Sequence, residues 1–234
     1  MSVKLGVKIS GVEERNFLIV QELKKMNLLQ SRDSVVQYNG KTRNILACFN
    51  RALKSFENTD VTHVLVLQDD AYLCDDFLPI LQKCCEKFEN AVWSLFSSRV
   101  KSEDRKTASP YIRIRGYGVY GVGIVFPMKY FQDFMDWQKE CVPKGFEHDD
   151  VVIGEYCKQN GIDVMSTIPS LLQHLGGKSS MMGHNCGVVS KVWNGAGEPK
   201  KQDWDNLDFN TSAYIGTGYC SNLIKKRVQN GKAD

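Results

Sequence analysis

Two adjacent carboxylates follow a short apolar run and suggest the most specific chemistry in this sequence. Residues 63–67 read His-Val-Leu-Val-Leu, and Gln68, Asp69 and Asp70 come directly after them. Two carboxylates at the end of a buried strand repel each other and lose hydration, so a cation is needed to neutralise them. Their oxygens are hard ligands that suit Mg²⁺ or Mn²⁺ bridging a diphosphate. The alternative is a helix cap formed by Asp69 or Asp70.

A histidine and a lysine form a second polar group, in residues 168–180. His174 is followed by a glycine pair, by Lys178 and by two serines. A neutral imidazole can complete the ligand shell of Mn²⁺. Lys178, with hydroxyl and backbone N–H groups beside it, can hold phosphate oxygens. A lone histidine is commonly structural, and it is the combination with Asp69 and Asp70 that favours a metal site.

A second acidic pair, Asp149 and Asp150, stands directly before the apolar residues of a predicted helix. One of the two is expected to cap that helix. The other can act as a general base that takes the proton from an acceptor hydroxyl. We assign this role to Asp150, which stands second and next to the helical run, with Asp149 as the alternative.

Glycines cluster at four positions before and within the strand predicted at 119–126, namely Gly116, Gly118, Gly121 and Gly123. This density permits close approach of the backbone to a ligand, and it suits a bent strand equally well. The cluster is neither a Walker loop nor a GxGxxG turn that follows a strand and opens a helix. The sequence also contains no nucleophile elbow.

The elements that must position these residues alternate between strand and helix. Apolar runs and period-2 patterns predict strands at about 3–9, 34–38, 63–67, 92–96, 119–126 and a final one at 162–167. Helical spacing predicts helices at about 14–26, 45–56, 77–88, 130–138 and 150–159. The order predicts an α/β sandwich with a largely parallel sheet, whose ligands bind at the carboxyl ends of the strands. Residues 97–110 are polar and predict a loop.

Composition indicates one compact unit. The chain has 234 residues, 42% of them hydrophobic, and a net charge of +3 from 30 basic and 27 acidic residues. This charge is too small for a dedicated nucleic-acid coat. No leader-like segment and no apolar run of about 18–20 residues occurs, so we expect no membrane anchor and no export. The eight cysteines follow no metal-binding spacing, which indicates reduced thiols in a cytoplasm.

Together these motifs resemble the GT-A glycosyltransferases. Residues 68–70 are similar to the DxD-type motif of that fold, with glutamine in place of the usual first acid, as in the Glu-Asp-Asp form of lipopolysaccharide galactosyltransferase-like enzymes. Residues 169–176, with Ser179 and Ser180, resemble a stretch near the end of the catalytic domain in the N-acetylglucosaminyltransferase IV family. Asp149 and Asp150 resemble the acceptor-side acidic pair, whose second member is commonly the base in inverting enzymes. The resemblance spans residues 3–180.

The resemblance implies a GT-A type α/β/α sandwich that transfers a sugar from a UDP-sugar to a hydroxyl, with Mn²⁺ or Mg²⁺. Asp70 would bind the metal, His174 would complete its shell, and Gln68 or Asp69 would contact the ribose or a metal-bound water. The loop at residues 10–15, with Gly11 and Arg15, would hold the base and ribose. Because Gln68 is neutral, metal affinity is either lower or rests more on Asp70 and His174. Residues 1–110 would bind the donor, 111–190 the acceptor, and 191–234 form a basic segment or lid.

The acceptor is open at this level. Small size, the lack of an anchor and the basic, aromatic C-terminal segment also resemble phage enzymes that glucosylate hydroxymethylated pyrimidines in DNA. In that segment, cations could track phosphates and rings could stack on a base, or the segment is a solvated tail. The residues concerned are Lys191, Trp193, Lys200, Lys201, Trp204, Tyr214, Lys225, Lys226 and Arg227. A cell-surface oligosaccharide or a protein side chain is the competing acceptor. A nucleotidyltransferase and a noncatalytic sugar-binding module are the competing classes.

Overall fold

The computed structural model describes residues 3–11, 17–25, 36–38, 44–97, 111–114, 118–174 and 208–210. These ranges contain ten strands and five α-helices. The strands are β1 (Leu5–Gly11), β2 (Val36–Tyr38), β3 (His63–Gln68), β4 (Ala71–Leu73), β5 (Val92–Ser94), β6 (Tyr111–Ile114), β7 (Gly123–Pro127), β8 (Val164–Ile168), β9 (Leu172–His174) and β10 (Asp208–Asn210). The helices are α1 (Phe17–Lys25), α2 (Ile45–Lys54), α3 (Phe77–Lys87), α4 (Phe131–Cys141) and α5 (Asp149–Asn160).

Eight of these strands form one sheet in the order β10-β6-β8-β5-β7-β3-β1-β2. Strands β2, β1, β3, β5 and β8 run in one direction, and β7, β6 and β10 run in the other. The predicted α/β sandwich with a mostly parallel sheet is therefore confirmed. The reversed strand β7, inserted between β3 and β5, was not predicted, because an apolar run carries no information about strand direction.

Two hydrophobic cores cover the two faces of the sheet. Along β3 the side chains alternate, so that Leu65 and Leu67 enter the core formed with α1 and α3. Val64 and Val66 enter the core formed with α2, α4 and α5. Each fully buried side chain of this size contributes about 1.5–3 kcal/mol relative to exposure. Burial on both faces explains why the run at 63–67 is continuously apolar.

Helix α2 fixes the segment that leads into α5. Its first turn is capped by Asn44, whose side-chain oxygen accepts the backbone N–H of Ala47 at 2.7 Å. The Asn44 amide donates to the carbonyl of Phe146 at 3.3 Å, and the N–H of Leu46 donates to the carbonyl of Glu147 at 3.0 Å. The N-terminus of α5 is thus held beside the N-terminus of α2.

Short strands account for most differences from the predicted elements. The predicted strand at 162–167 is β8, but it is not the last strand, since β9 and β10 follow it. Strand β10 lies in the predicted C-terminal segment and pairs in parallel with β6 at the sheet edge. Strands of three or four residues are too short to show a period of two. The polar loop predicted at 97–110 lies outside the described residues, except for Ser97.

Six described cysteines are free thiols, and all but Cys141 are buried. Burial raises the pKa of Cys84 to about 12 and also raises the pKa of Cys85 and Cys157. These thiols are therefore protonated and unreactive at neutral pH. In the part of the chain that the structure describes, no helix combines the length and the apolar character needed to cross a bilayer.

Candidate active site

The acidic motif lies at the carboxyl edge of the sheet, beside the end of β1. Strands β1 and β3 are parallel neighbours, with Ser10 paired to Gln68, and the N–H of Asp69 donates to the carbonyl of Ser10 at 3.1 Å. Strand β4 begins directly after Asp70, and the cap residue of the next helix, α3, is Asp76. Asp69 and Asp70 therefore do not cap a helix.

Asp69 packs directly on the backbone of Gly11. A Cβ atom added to Gly11 would lie 2.3 Å from both Cβ and Cγ of Asp69, a separation that real side chains do not tolerate. Asp69 is 5% exposed, so its carboxylate has little room to move away. Only glycine at position 11 allows Asp69 to occupy this place at the end of the first strand.

Asp70 and His174 meet through a two-stranded antiparallel ribbon formed by β4 and β9. Ala71 pairs with His174 in this ribbon, which brings the preceding residue, Asp70, within reach of the imidazole. His174 Nε2 lies 3.1 Å from Asp70 Oδ2, with side-chain exposures of 9% and 16%. The structure thus brings together the two predicted metal ligands, although their positions in the sequence do not show that they meet.

The Asp70–His174 distance suits two ligands of one octahedral cation. Ligands at 2.0–2.1 Å and at right angles are separated by about 3 Å, and the same separation is that of an ordinary hydrogen bond. Among the described residues no group of three or more His, Cys, Asp or Glu side chains is arranged to hold a metal. A carboxylate and an imidazole fit Mn²⁺ or Mg²⁺ if substrate oxygens and water complete the shell.

Asp149 reaches the same edge of the sheet from the start of α5. Its Oδ1 atom lies 3.3 Å from the point that a Cβ atom of Gly121 would occupy, and Gln68 Nε2 lies 3.0 Å from that point. The N–H of Gln68 donates to the carbonyl of Val122 at 2.9 Å, which ties the end of β3 to the turn before β7. Gln68, Gly121 and Asp149 therefore converge.

The glycine cluster serves two purposes. The lack of a side chain at Gly121 leaves room for the ends of the Gln68 and Asp149 side chains. A Cβ atom at Gly123 would lie 2.4 Å from Leu172 Cδ2, so this glycine makes room for a core leucine. The sequence left close approach of the backbone and a bent strand equally open, and it does not show which glycine faces polar groups; Gly116 lies outside the described residues.

The second acidic pair differs from the prediction in one respect. The N-cap of α5 is His148, and neither aspartate is the cap residue. Both aspartates lie in the first turn, where Asp149 Oδ1 accepts the N–H of Asp150 at 2.7 Å and Asp150 Oδ1 accepts the N–H of Val151 at 2.8 Å. The prediction that one of them caps the helix was wrong, because the extended residue before the first turn is one position earlier.

The two aspartates are electrostatically unequal. Asp149 is only 4% exposed, and burial, reinforced by the charge of Asp150, raises its pKa to about 8. Burial also raises the pKa of Asp150, while the N–H of Val151 and His148 oppose this rise. The described hydrogen bonds of Asp150 stay within its own helix, whereas Asp149 stands next to Gln68.

Several predicted residues cannot be placed. Arg15 and Lys178 lie outside the described residues, as do the basic and aromatic residues named above for the C-terminal segment.

Comparisons with known proteins identify no family for this chain. No family model matches the chain, and no curated protein matches it. A solved structure described as a glucose-1-phosphate thymidylyltransferase from Bacillus anthracis, in complex with a sucrose, is similar to it at 11% identity and a TM-score of 0.45. That similarity covers 70% of this chain and 89% of the other.

Proposed function

We propose that this chain is a metal-dependent glycosyltransferase that moves a sugar from a UDP-sugar to an acceptor hydroxyl. The observation that carries the proposal is the pair Asp70 and His174, 3.1 Å apart at the carboxyl edge of an α/β sheet. Asp69, Gln68 and Asp149 lie at the same edge. These groups could supply a cation site and a separate carboxylate base, which would suit metal-dependent glycosyl transfer of the inverting kind.

Asp70 and His174 would hold Mn²⁺ or Mg²⁺ against the diphosphate of the donor. The cation would stabilise the charge that develops on the departing diphosphate. The resemblance assigns donor binding to Gly11 and Asp69, and their close packing supports a rigid wall there. We propose that Arg15 and Lys178 contact the phosphates and ribose.

We propose Asp149 as the general base, in preference to Asp150, the residue that sequence position alone favours. Its carboxylate approaches Gly121, as the amide of Gln68 does, and we propose that the acceptor hydroxyl binds there. A raised pKa, here about 8, makes a carboxylate a stronger base. The same shift means that Asp149 is mostly protonated at neutral pH, so transfer is expected to increase as pH rises toward 8.

Three classes of acceptor fit the proposed reaction, and the experiment below distinguishes them. DNA carrying a hydroxymethylated pyrimidine, a cell-surface oligosaccharide and a protein side chain each present a hydroxyl. For DNA, the target base has to leave the duplex or be single-stranded to reach Asp149.

The test is turnover of a nucleotide-sugar panel in the presence of Mn²⁺. UDP-glucose, UDP-galactose and UDP-N-acetylglucosamine, each labelled in the sugar, are incubated with DNA containing 5-hydroxymethylcytosine, with unmodified DNA and with an oligosaccharide panel. We expect label on one acceptor class and UDP release that chelator abolishes. Asp70→Asn and His174→Ala should each remove this activity, whereas Asp75→Asn, at an exposed position, should retain it.

The competing class is tested in the same experiment. That class is a nucleotidyltransferase, which would also use acids at strand ends to hold Mg²⁺ and a triphosphate. Sugar 1-phosphates with nucleoside triphosphates are supplied in parallel, and pyrophosphate is measured. Pyrophosphate release without any turnover of UDP-sugars would replace our proposal with a nucleotidyltransferase. Sugar binding that survives in Asp70→Asn and His174→Ala, with no turnover by the unchanged protein, would indicate a noncatalytic module.

A further inference from the structure

Gln68 and Asp149 both approach the position that a Cβ atom of Gly121 would occupy. Gln68 Nε2 and Asp149 Oδ1 lie 3.0 and 3.3 Å from the missing Cβ of Gly121. The two side chains come from different elements, since Gln68 ends β3 and Asp149 begins α5. The space above Gly121 is therefore bounded by one amide and one carboxylate.

The alternation of β3 explains why Gln68 faces α5. Val64 and Val66 enter the core beneath α5, and Leu65 and Leu67 enter the opposite core. Gln68 continues the series of Val64 and Val66, because side chains two residues apart share a face. Asp69 leaves toward the opposite side and packs on Gly11. Gln68 and Asp69 are thus neighbours in sequence with different surroundings.

An amide beside a carboxylate is a complementary pair for one hydroxyl group. The amide N–H can donate to the hydroxyl oxygen, and the carboxylate can accept the hydroxyl proton. The amide nitrogen of Gln68 is the atom of that side chain nearest to the missing Cβ of Gly121, and the Asp149 carboxylate approaches the same point. An amide nitrogen carries no lone pair for a cation, so this orientation does not suit a metal ligand.

We propose that Gln68, Gly121 and Asp149 form a hydroxyl-binding gap in which Gln68 positions the acceptor oxygen for Asp149. This inference rests on the proposed glycosyl transfer. It assigns Gln68 to the acceptor hydroxyl, whereas the resemblance assigned that position to the ribose or to a metal-bound water. In the step, the hydroxyl proton passes to the Asp149 carboxylate, and an oxygen lone pair forms a bond to the anomeric carbon. The bond from that carbon to the diphosphate oxygen breaks, and UDP departs with its electron pair.

Gly121 is part of the gap because any side chain there occupies it. The Cβ of alanine would stand 3.0 Å from Gln68 Nε2 and 3.3 Å from Asp149 Oδ1. Both contacts are with the ends of side chains, so the fold can absorb the change by small displacements. The displaced atoms are the ones that contact the hydroxyl. Gly121→Ala should therefore impair transfer more than folding.

The experiment measures hydrolysis of the UDP-sugar that the unchanged protein uses best, with water as the acceptor, so that no acceptor need be identified. Gln68→Glu has the same size but lacks the N–H donor, and Gln82→Glu makes the same charge change at an exposed position on α3. We expect kcat to fall about 10- to 100-fold in Gln68→Glu, as for loss of a hydrogen bond to a charged or reacting group. Gly121→Ala should show a similar fall, and Gln82→Glu none.

UDP affinity and the Mn²⁺ concentration that gives half-maximal rate supply the decisive control. We expect both to be unchanged in Gln68→Glu, because the amide serves the hydroxyl. A weaker UDP affinity, or a lower Mn²⁺ requirement caused by the added carboxylate, would place Gln68 at the ribose or the cation and overturn the inference. An unchanged kcat would overturn it as well. If the unchanged protein turns over no UDP-sugar, the proposed function itself fails. If the unchanged protein is active and the variants are equally active, only this inference fails.

Discussion

Replacing Asp149 with asparagine should stabilise the protein while removing the proposed transfer activity. The carboxyl pKa is about 8 in the folded chain, compared with an ordinary value of 3.8, because Asp149 is buried and Asp150 is adjacent. Asparagine has nearly the same shape, and its Oδ1 can still accept the N–H of Asp150. The substitution therefore removes the ionisation and leaves the packing in place.

The sign and size of the effect follow from proton binding. Between pH 3.8 and about 8 the folded state holds a proton on Asp149 that the unfolded state has lost. The contribution of Asp149 to the free energy of unfolding is therefore highest below pH 3.8, falls as pH rises and levels off above about 8. A shift of about four pKa units at 1.36 kcal/mol each is on the order of 5 kcal/mol. The favourable position of an acid in the first turn of α5 is worth only about 0.3–1 kcal/mol.

The assay is urea unfolding in chelator at several pH values from 4 to 9. The protein and Asp149→Asn should have similar stability near pH 4, and the variant should become more stable by several kcal/mol at pH 8. Asp75→Asn, an exposed control, should leave the pH dependence unchanged. In parallel, kcat/KM should rise with pH and level off above about 8, and Asp149→Asn should lower transfer by about 10²–10⁴-fold. Equal or lower stability of Asp149→Asn at pH 8 would mean that Asp149 is ionised and stabilised, and would refute this reasoning.

Three further predictions concern residues that position the site. Gly11→Ala should lower the turnover rate, and it should lower the free energy of unfolding by about 1–3 kcal/mol, because the added Cβ would overlap Asp69. An unchanged turnover rate together with an unchanged urea midpoint would contradict this prediction. Gly123→Ala should lower the free energy of unfolding by a similar amount, because the added Cβ would clash with Leu172. The double variant with Leu172→Val should recover part of this stability. If the destabilisation of the double variant equals the sum of the two single variants, the clash is excluded. Asn44→Ala removes the cap of α2 and should lower the free energy of unfolding by about 1 kcal/mol. Asn44→Asp should retain the cap. Equal thermal midpoints of Asn44→Ala and the unchanged protein would show that this cap is not needed.

The regular elements could be predicted because their residues repeat with a clear period. Strand β3 and helices α2, α3 and α5 have long enough apolar patterns to reveal their type. The prediction of a candidate site at the end of β3 followed from the same argument, since ligands of such sheets bind at the carboxyl ends of strands. The direction of β7 and the existence of β4 and β9 did not follow. A three-residue strand has no period, and its partner can lie a hundred residues away, as Ala71 and His174 do.

The sequence by itself determined which chemical groups are available, namely two acidic pairs, a histidine and a glycine cluster, and it determined the α/β class. These features depend on residue type and on local spacing. Only the tertiary structure decided which groups meet. Asp70 meets His174 because β4 pairs with β9, and Asp149 reaches Gln68 because α5 packs over that face of the sheet. Proximity between distant residues arises from strand pairing and helix packing, which local patterns do not encode, so the preference for Asp149 over Asp150 required the folded chain.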